Sequence, residues 1–250
     1  MSDSRFLAEL AYWERELSLQ GDYPEAILNR VKPERMDREF PFYLMPLIDK
    51  LRNVNHRPPK VLDVGSGPLS MLAYGHHNHI IDLTCVDPLA DEYARLLTHY
   101  GYTIEYPIIA GYAEHLSKIF GRDSFDLVWI HNSLDHTQDP ATAMKEMVAV
   151  LRPSGYLVVQ GWEREGTAQG FNGLHQHDLY ITENGRLMVQ SYIGDLLSKP
   201  RCISSGLPIR VVEFSISGTS DRPWFKVVWK KVKSVYQPLY HLYRWLVHHF

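Results

Sequence analysis

Asp135 and His136 stand side by side, and a carboxylate next to an imidazole can orient the ring and raise its basicity. Near neutral pH such a histidine can take the proton of a hydroxyl, a contribution of roughly 10²–10⁴-fold to a transfer reaction. Capping of the helix that opens at Asp139-Pro140 is the competing account of His136, and the sequence leaves both open. His175, His177 and Asp178 form a second polar group, in which the two histidines would share one strand face, a geometry suited to a metal or a saccharide. A plain polar hairpin edge is favoured there over a metal, so no metal is assigned. A third set is Asp63-Val64-Gly65-Ser66-Gly67 together with Asp87. Its glycines permit a tight turn and close approach of backbone to a ligand, and Asp87 can accept hydrogen bonds from a ribose diol. A nicotinamide-binding turn would carry a third Gly or Ala where Pro68-Leu69-Ser70 follows, which counts against a nicotinamide-dependent oxidoreductase. No carboxylate pair, Ser-His-Asp set or phosphate loop of the Walker type competes with these groups.

Those residues can act together only if the elements between them bring them to one place. From Lys60 to Gln160 short apolar runs at 61–64, 80–86, 106–110, 125–130 and 156–160 alternate with helical stretches at 70–75, 91–99, 113–120 and 140–151. Such alternation predicts an α/β, Rossmann-like, doubly wound sheet whose strands are joined by right-handed crossovers. Residues that follow the strands then gather at the carboxyl end of the sheet, where ligands bind. Residues 1–59 are predicted as an N-terminal helical cap, with Phe6, Leu7, Leu10, Trp13 and Leu17 at helical spacing, a further helix over 42–51 and a linker over 53–59. The core is predicted over 60–233, with an insertion at about 162–205. There Glu183-Asn184-Gly185 between alternating runs at 177–182 and 186–192 reads as an inserted β-hairpin that covers the ligand end. Runs at 209–216 and 224–229 complete a seven-stranded sheet, mostly parallel with an antiparallel edge. Residues 234–250 read as a basic, aromatic C-terminal helix.

Five segments, in order, resemble the class I S-adenosylmethionine-dependent methyltransferases, especially the type-11 group. They are Val61–Gly67, Cys85–Leu89, Gly111–Leu116, Phe125–Trp129 with its following loop to Pro140, and Val150–Leu157. The resemblance implies an enzyme that uses S-adenosyl-L-methionine and releases S-adenosyl-L-homocysteine. It implies that Asp63, Gly65, Ser66 and Gly67 hold the amino-acid end of the cofactor, and that Asp87 holds the ribose. Pro88 and Leu89 would lie against the adenine, Ala113 at its edge, His131 in the cofactor wall and Asn132 beside the methionine portion. Three positions depart from the family pattern. Tyr112 stands for the usual Asp, which would pass the adenine amino group to Glu114 or to backbone; Leu69 stands for the third loop Gly, and Ser154 for a turn Gly.

His136, Asp135 and His175 are the catalytic candidates, with Trp13, Tyr23, Phe42, Trp162 and Tyr180 as aromatic walls of an acceptor pocket. The expected acceptor is a hydroxyl of a saccharide or another small metabolite, and the alternative from another class is a cofactor-binding but catalytically silent partner protein. Nucleic acid is not expected as a partner: the net charge is −3, and the six Lys and Arg after position 221 leave the preceding residues near −9 (26 less 6 basic against 29 acidic). Two cysteines, Cys85 and Cys202, give no disulfide framework, and no apolar stretch reaches the ~18 residues of a membrane span. A cytoplasmic protein is expected. Its basic, aromatic tail would dock on the chain's own domain, on a second subunit as a homodimer, or peripherally on the inner membrane face.

Overall fold

The structure is a computed structural model that describes residues 4–193, 196–219 and 223–232. Seven strands form the main sheet in the order β10-β11-β5-β4-β1-β2-β3. They are β1 (Lys60–Val64), β2 (Asp82–Asp87), β3 (Ile108–Ala110), β4 (Phe125–His131), β5 (Leu151–Trp162), β10 (Ile209–Gly218) and β11 (Pro223–Lys231). β11 runs antiparallel to both β5 and β10, and the other pairings are parallel. The doubly wound sheet expected from the alternation is therefore present, and the reversed strand is second from the edge.

Period-two side-chain alternation explains why these strands read as nearly continuous apolar runs. Leu62, Val64, Val128, Ile130, Leu157 and Val159 enter the cluster on one face, while Val61, Leu127, Trp129 and Val158 enter the cluster on the other. Both faces are covered, as parallel strands require. The covering helices are α4 (Ala73–His77), α5 (Ala90–His99), α6 (Leu116–Phe120) and α7 (Pro140–Val150). Before them come α1 (Ser4–Leu17), α2 (Pro24–Val31) and α3 (Met45–Asn55), the N-terminal cap.

The cap docks through Leu69, the residue in the place of the expected loop glycine. Leu69 is buried with Leu17 of α1, Ile27 of α2 and Leu97 of α5. A larger side chain here is thus an anchor for the cap. The turn between α1 and α2 is held by buried Glu16, whose Oε1 and Oε2 each accept a backbone N–H at 2.9 Å, from Asp22 and Tyr23. The predicted linker over 53–59 is shorter than expected, because α3 continues to Asn55 and ends on His56 in the left-handed region (φ 53°). The predicted helix at 70–75 begins at Ala73, since Ser70 is engaged in the preceding turn: its Oγ accepts from Leu72 N at 3.0 Å.

The Asn184-Gly185 hairpin is present: β6 (His177–Ile181) pairs antiparallel with β7 (Leu187–Ile193), and Gly185 takes φ 71°. Two short strands, β8 (Leu196–Leu197) and β9 (Arg201–Cys202), add to β7, so the insertion is a small sheet rather than a lone hairpin. A short helix, α8 (Glu165–Ala168), leads into it. The predicted C-terminal helix over 234–250 lies outside the described residues.

Ser154 occupies the irregular turn in β5 with φ 71°, a conformation that glycine adopts freely and that costs other L-residues ~1–2 kcal/mol. Ser154→Gly is expected to raise stability by up to ~1 kcal/mol, because the relieved strain is partly offset by a more flexible unfolded chain. A denaturation midpoint equal to or below that of the parent chain would contradict this.

Candidate functional site

At the carboxyl end of the sheet the turns after β1, β2, β3 and β4 surround a cavity of about 850 Å³, closed by α1 and α2 on one side and by the insertion on the other. Asp63 ends β1 inside the sheet at 2% exposure, and its Oδ2 accepts from Ser70 Oγ at 2.5 Å. Burial pushes the Asp63 carboxyl up to about 7; the Ser70 hydrogen bond and the Arg30 charge oppose the rise, and Asp87 adds to it. Asp87 ends β2, its Oδ2 accepting from Gly67 N at 3.1 Å and its Oδ1 from Leu89 N at 2.9 Å. Burial pushes Asp87 up to about 6 against these two N–H bonds, with Glu9 adding to the rise. Asp87 fixes the backbone of both turns, Asp63 holds the Ser70 hydroxyl, and both keep lone pairs for a ligand.

Gly65 and Gly67 have φ 66° and 61°. A Cβ on Gly65 would lie 2.4 Å from Ser133 Oγ, and one on Gly67 would lie 2.7 Å from Trp13 Cζ2. Trp13 therefore covers the turn from α1, donating its Nε1–H to Glu9 Oε1 at 2.8 Å and meeting Tyr93 edge to face at 6.3 Å. Arg30 reaches in from α2 and donates to Leu69 O at 3.3 Å, while its buried Nε has no hydrogen-bond partner.

After β4 the chain turns sharply at Asn132 (φ 51°). His131 sits before this turn in a relay of fixed direction. The Trp129 indole can only donate, and it does so to Tyr43 Oη at 3.2 Å. The Tyr43 hydroxyl then donates to Gln160 Oε1, and Gln160 Nε2 donates to His131 Nδ1 at 3.0 Å. Nδ1 is thus the acceptor and Nε2 carries the hydrogen. Burial, together with the Arg30 charge, holds His131 down at about 3, so the ring is neutral.

Beyond Asn132, Asp135 is buried with one carboxylate oxygen facing two histidines. Its Oδ2 lies 2.7 Å from His175 Nδ1 and 3.6 Å from His136 Nε2, and the two ring nitrogens are 3.1 Å apart. Burial lowers the His175 imidazole, but the hydrogen bond and charge of Asp135 outweigh it and leave it above its ordinary value. The three catalytic candidates, drawn from two separate segments, thus meet. The internal pairing differs from that expected: Asp135 orients His175 from the insertion more closely than it does its neighbour His136. The competing role of His136 as a helix cap is filled by Asp139, which accepts from Ala141 N at 3.0 Å and Thr142 Oγ1 at 2.7 Å.

His175 and His177 do not share a strand face, because β6 begins only at His177. His177 Nε2 faces Thr137 O and Nδ1 faces Ser191 Oγ, both at 2.8 Å, so that ring pins the insertion to the loop after β4. Asp178 is fully buried and accepts from Thr167 N at 2.7 Å and Thr167 Oγ1 at 2.5 Å, opening α8.

Asp63, Gly65, Ser66 and Gly67 line the cavity, as do Asp87, Pro88 and Leu89. Ala113 and Glu114 line it after β3, and His131, Asn132, His136 and His175 after β4 and from the insertion. Glu114 is partly committed elsewhere: its Oε1 accepts from Gln138 N at 2.7 Å and Asp139 N at 3.0 Å, which leaves Oε2 for a ligand and gives Glu114 the added task of bracing the β4 loop. Of the expected aromatic walls, Trp13, Tyr23 and Trp162 line the cavity. Phe42 packs instead on Phe40 and Tyr74, and the Tyr180 ring lies under Arg164. Sequence reading missed Arg30, Glu9, Tyr93 and Glu165, all cavity residues. Helical spacing identifies α1 as a helix but carries no signal for which of its polar residues the fold turns toward the sheet.

Residues 62–159 match the family model described as a methyltransferase domain. Among solved structures, the chain is similar to the Burkholderia thailandensis 1,6-didemethyltoxoflavin-N1-methyltransferase, with 20% identity over 75% of this chain and 77% of that one and a TM-score of 0.46. That structure holds 1,6-didemethyltoxoflavin and S-adenosylhomocysteine. It is also similar to the N-methyltransferase NodS from Bradyrhizobium japonicum, with 16% identity over 77% and 98% of the two chains and a TM-score of 0.45. A third is an S-adenosylmethionine-dependent methyltransferase from Mesorhizobium loti, with 15% identity over 73% and 96% and a TM-score of 0.46. The family match spans β1 to β5, the strands whose ends build the cavity, so the part of the chain that carries the methyltransferase-domain pattern is the part that forms the site.

Proposed function

We propose that the chain transfers the methyl group of S-adenosylmethionine to a hydroxyl of a saccharide or another small metabolite. The observation that carries this reading is the convergence of Asp135, His136 and His175 at one side of the cavity that the glycine turn also lines. An amine acceptor arrives with its lone pair once deprotonated in solution, whereas a hydroxyl needs its proton removed at the site. A buried carboxylate with two imidazoles suits that task. The cavity volume of about 850 Å³ leaves room for an acceptor beside a nucleoside.

In this reading Asp87 takes the ribose hydroxyls, and the turn Gly65-Ser66-Gly67 with Asp63 takes the amino-acid end. The unpartnered Nε of Arg30, which lies on the same side of the cavity, is a donor for the carboxylate. When bound, the cofactor supplies a methyl carbon on a sulfonium. The acceptor proton is lost at the Asp135–His136–His175 group. The acceptor oxygen then bonds to the methyl carbon as the carbon–sulfur bond breaks, its electron pair going to sulfur. Trp162 and Trp13 shed water from the two sides, which aligns the reactants in an in-line displacement.

Incubation of the full chain with methyl-labelled cofactor and matched hydroxyl and amine acceptors tests the reading. Label is expected in sugar or other small hydroxyl acceptors; transfer to amines alone would overturn it.

The raised carboxyls also give a pH dependence. Hydroxyl and ammonium donors bind the ionised forms, so below a carboxyl's pKa a proton must leave before the ligand binds. With Asp63 near 7 and Asp87 near 6, affinity for S-adenosylhomocysteine is expected to fall as pH drops. The loss should be about tenfold between about pH 7.5 and 6, with protons released on binding. Calorimetry in buffers of different ionisation enthalpy reads both; affinity flat across that window would contradict the assignment.

A further inference from the structure

We infer that Asp135, His136 and His175 hold a first-row divalent cation, and that this cation is what ionises the acceptor hydroxyl; the inference rests on the hydroxyl-directed reading above. Asp135 Oδ2, His136 Nε2 and His175 Nδ1 are separated pairwise by 2.7, 3.1 and 3.6 Å. Ligands at ~2.1 Å from one ion stand ~3.0 Å apart on an octahedral face and ~3.4 Å apart on a tetrahedral one, so the three atoms already form a coordinating face.

Hydrogen bonding accounts for this face less well than a cation does. His175 Nδ1 has one in-plane position, and it faces both Asp135 Oδ2 at 2.7 Å and His136 Nε2 at 3.1 Å. A proton there serves the carboxylate and leaves the two ring nitrogens in contact with no proton along their line. A second proton, on His136, would point at a nitrogen that has no lone pair left. One ion at the centre satisfies all three atoms.

The charge balance points the same way. Asp135 is 4% exposed, and among the described residues it pairs with these two histidines. A buried carboxylate whose neighbours are two imidazoles has no permanent counter-charge beside it, and a divalent cation would supply one. Glu165, also buried and lining the cavity, adds negative potential that acts on His175. His177 stays outside the set, since both its nitrogens are already engaged. Two imidazoles with one carboxylate select Mn(II), Fe(II), Co(II) or Zn(II) over Mg(II) or Ca(II). His136 and His175 line the cavity, so the open side of the ion faces the acceptor. An acceptor oxygen placed there loses its proton to solvent at lower pH, and its lone pair goes to the methyl carbon as described above.

The test uses the full chain without an affinity tag, freed of metal by a chelator, titrated with Co(II) by visible absorption and with Zn(II) by calorimetry. One equivalent with visible d–d bands is expected. His136→Ala, His175→Ala and the isosteric Asp135→Asn should each weaken Co(II) binding by about tenfold or more, and exposed His99→Ala should leave it unchanged. Retained S-adenosylhomocysteine binding shows that each variant is folded. No stoichiometric uptake by the parent chain, or uptake unchanged in all three variants, overturns the inference. So does chelated enzyme that methylates hydroxyls at full rate, an outcome that leaves the hydroxyl-directed reading standing. Methylation of amines alone sinks that reading instead, whatever the metal titration shows.

Discussion

Asp87→Ala lowers the affinity for S-adenosylhomocysteine by about 100-fold or more, or ~2.7 kcal/mol. The carboxylate does two things at once. It accepts Gly67 N–H and Leu89 N–H, which ties the turn after β1 to the end of β2, and in the proposed reading its remaining lone pairs take the ribose hydroxyls. Hydrogen bonds to a charged group contribute roughly 1.5–3 kcal/mol each, and leaving two buried N–H groups unpaired adds a further cost. Asp87→Asn does not rescue the loss, because an amide offers one acceptor and one donor to two backbone donors. Isothermal titration gives the affinity, and a thermal melt confirms that the sheet persists. A dissociation constant within about twofold of the parent would remove Asp87 from the cofactor site, since even one neutral hydrogen bond contributes more than that.

The second large effect falls on turnover and leaves cofactor affinity alone. His136→Ala and His175→Ala are each expected to reduce kcat by roughly 10²–10⁴-fold, the range for loss of a group that assists proton removal. Because His136 and His175 meet Asp135 on the insertion side of the cavity, and the residues proposed to hold the cofactor cluster at the ends of β1 and β2, S-adenosylhomocysteine should bind both variants as it binds the parent. The double variant should lose little more than either single one, since residues that work as a unit are not additive. Unchanged kcat in both single variants would dissociate the cluster from the chemistry. A rise in the S-adenosylhomocysteine dissociation constant matching the fall in kcat would instead assign these rings to the cofactor wall.

A control for both measurements lies in Glu114. Its Oε1 braces the loop after β4 by accepting from Gln138 N and Asp139 N, so a change there is expected to displace that loop together with the proposed catalytic group. Asp87 and the histidines reach the cavity from separate segments of the chain, and their effects can be assigned separately.

Much of the scaffold was legible in the residues alone. Val61-Leu62-Asp63-Val64 and Phe125 to Ile130 read as buried parallel strands because a strand covered on both faces must be apolar at every position. Gly65, Gly67 and Asp87 were legible for a related reason: a tight turn at a strand end and a carboxylate at the end of the next are local features, set by a few neighbouring residues. Asn184-Gly185 is local in the same sense, since the dipeptide needs only its own backbone to close a hairpin.

What remained hidden depends on contacts between distant segments. The sequence placed Asp135 beside His136, yet the closest partner of Asp135 is His175, forty positions away. That pairing exists because His177 and Thr137 lock the insertion onto the β4 loop, a packing relation with no periodic signature. Arg30 is of the same kind. A helical wheel shows that α1 and α2 have an apolar side, but the burial of Leu69 against Leu17 and Ile27 decides which polar residues then overhang the glycine turn. By itself, then, the sequence determined the sheet and the turns at the ends of β1 and β2, all written in short-range spacing. Tertiary structure alone decided the make-up of the acceptor side, because those side chains meet only when the cap and the insertion close over the strands from opposite directions.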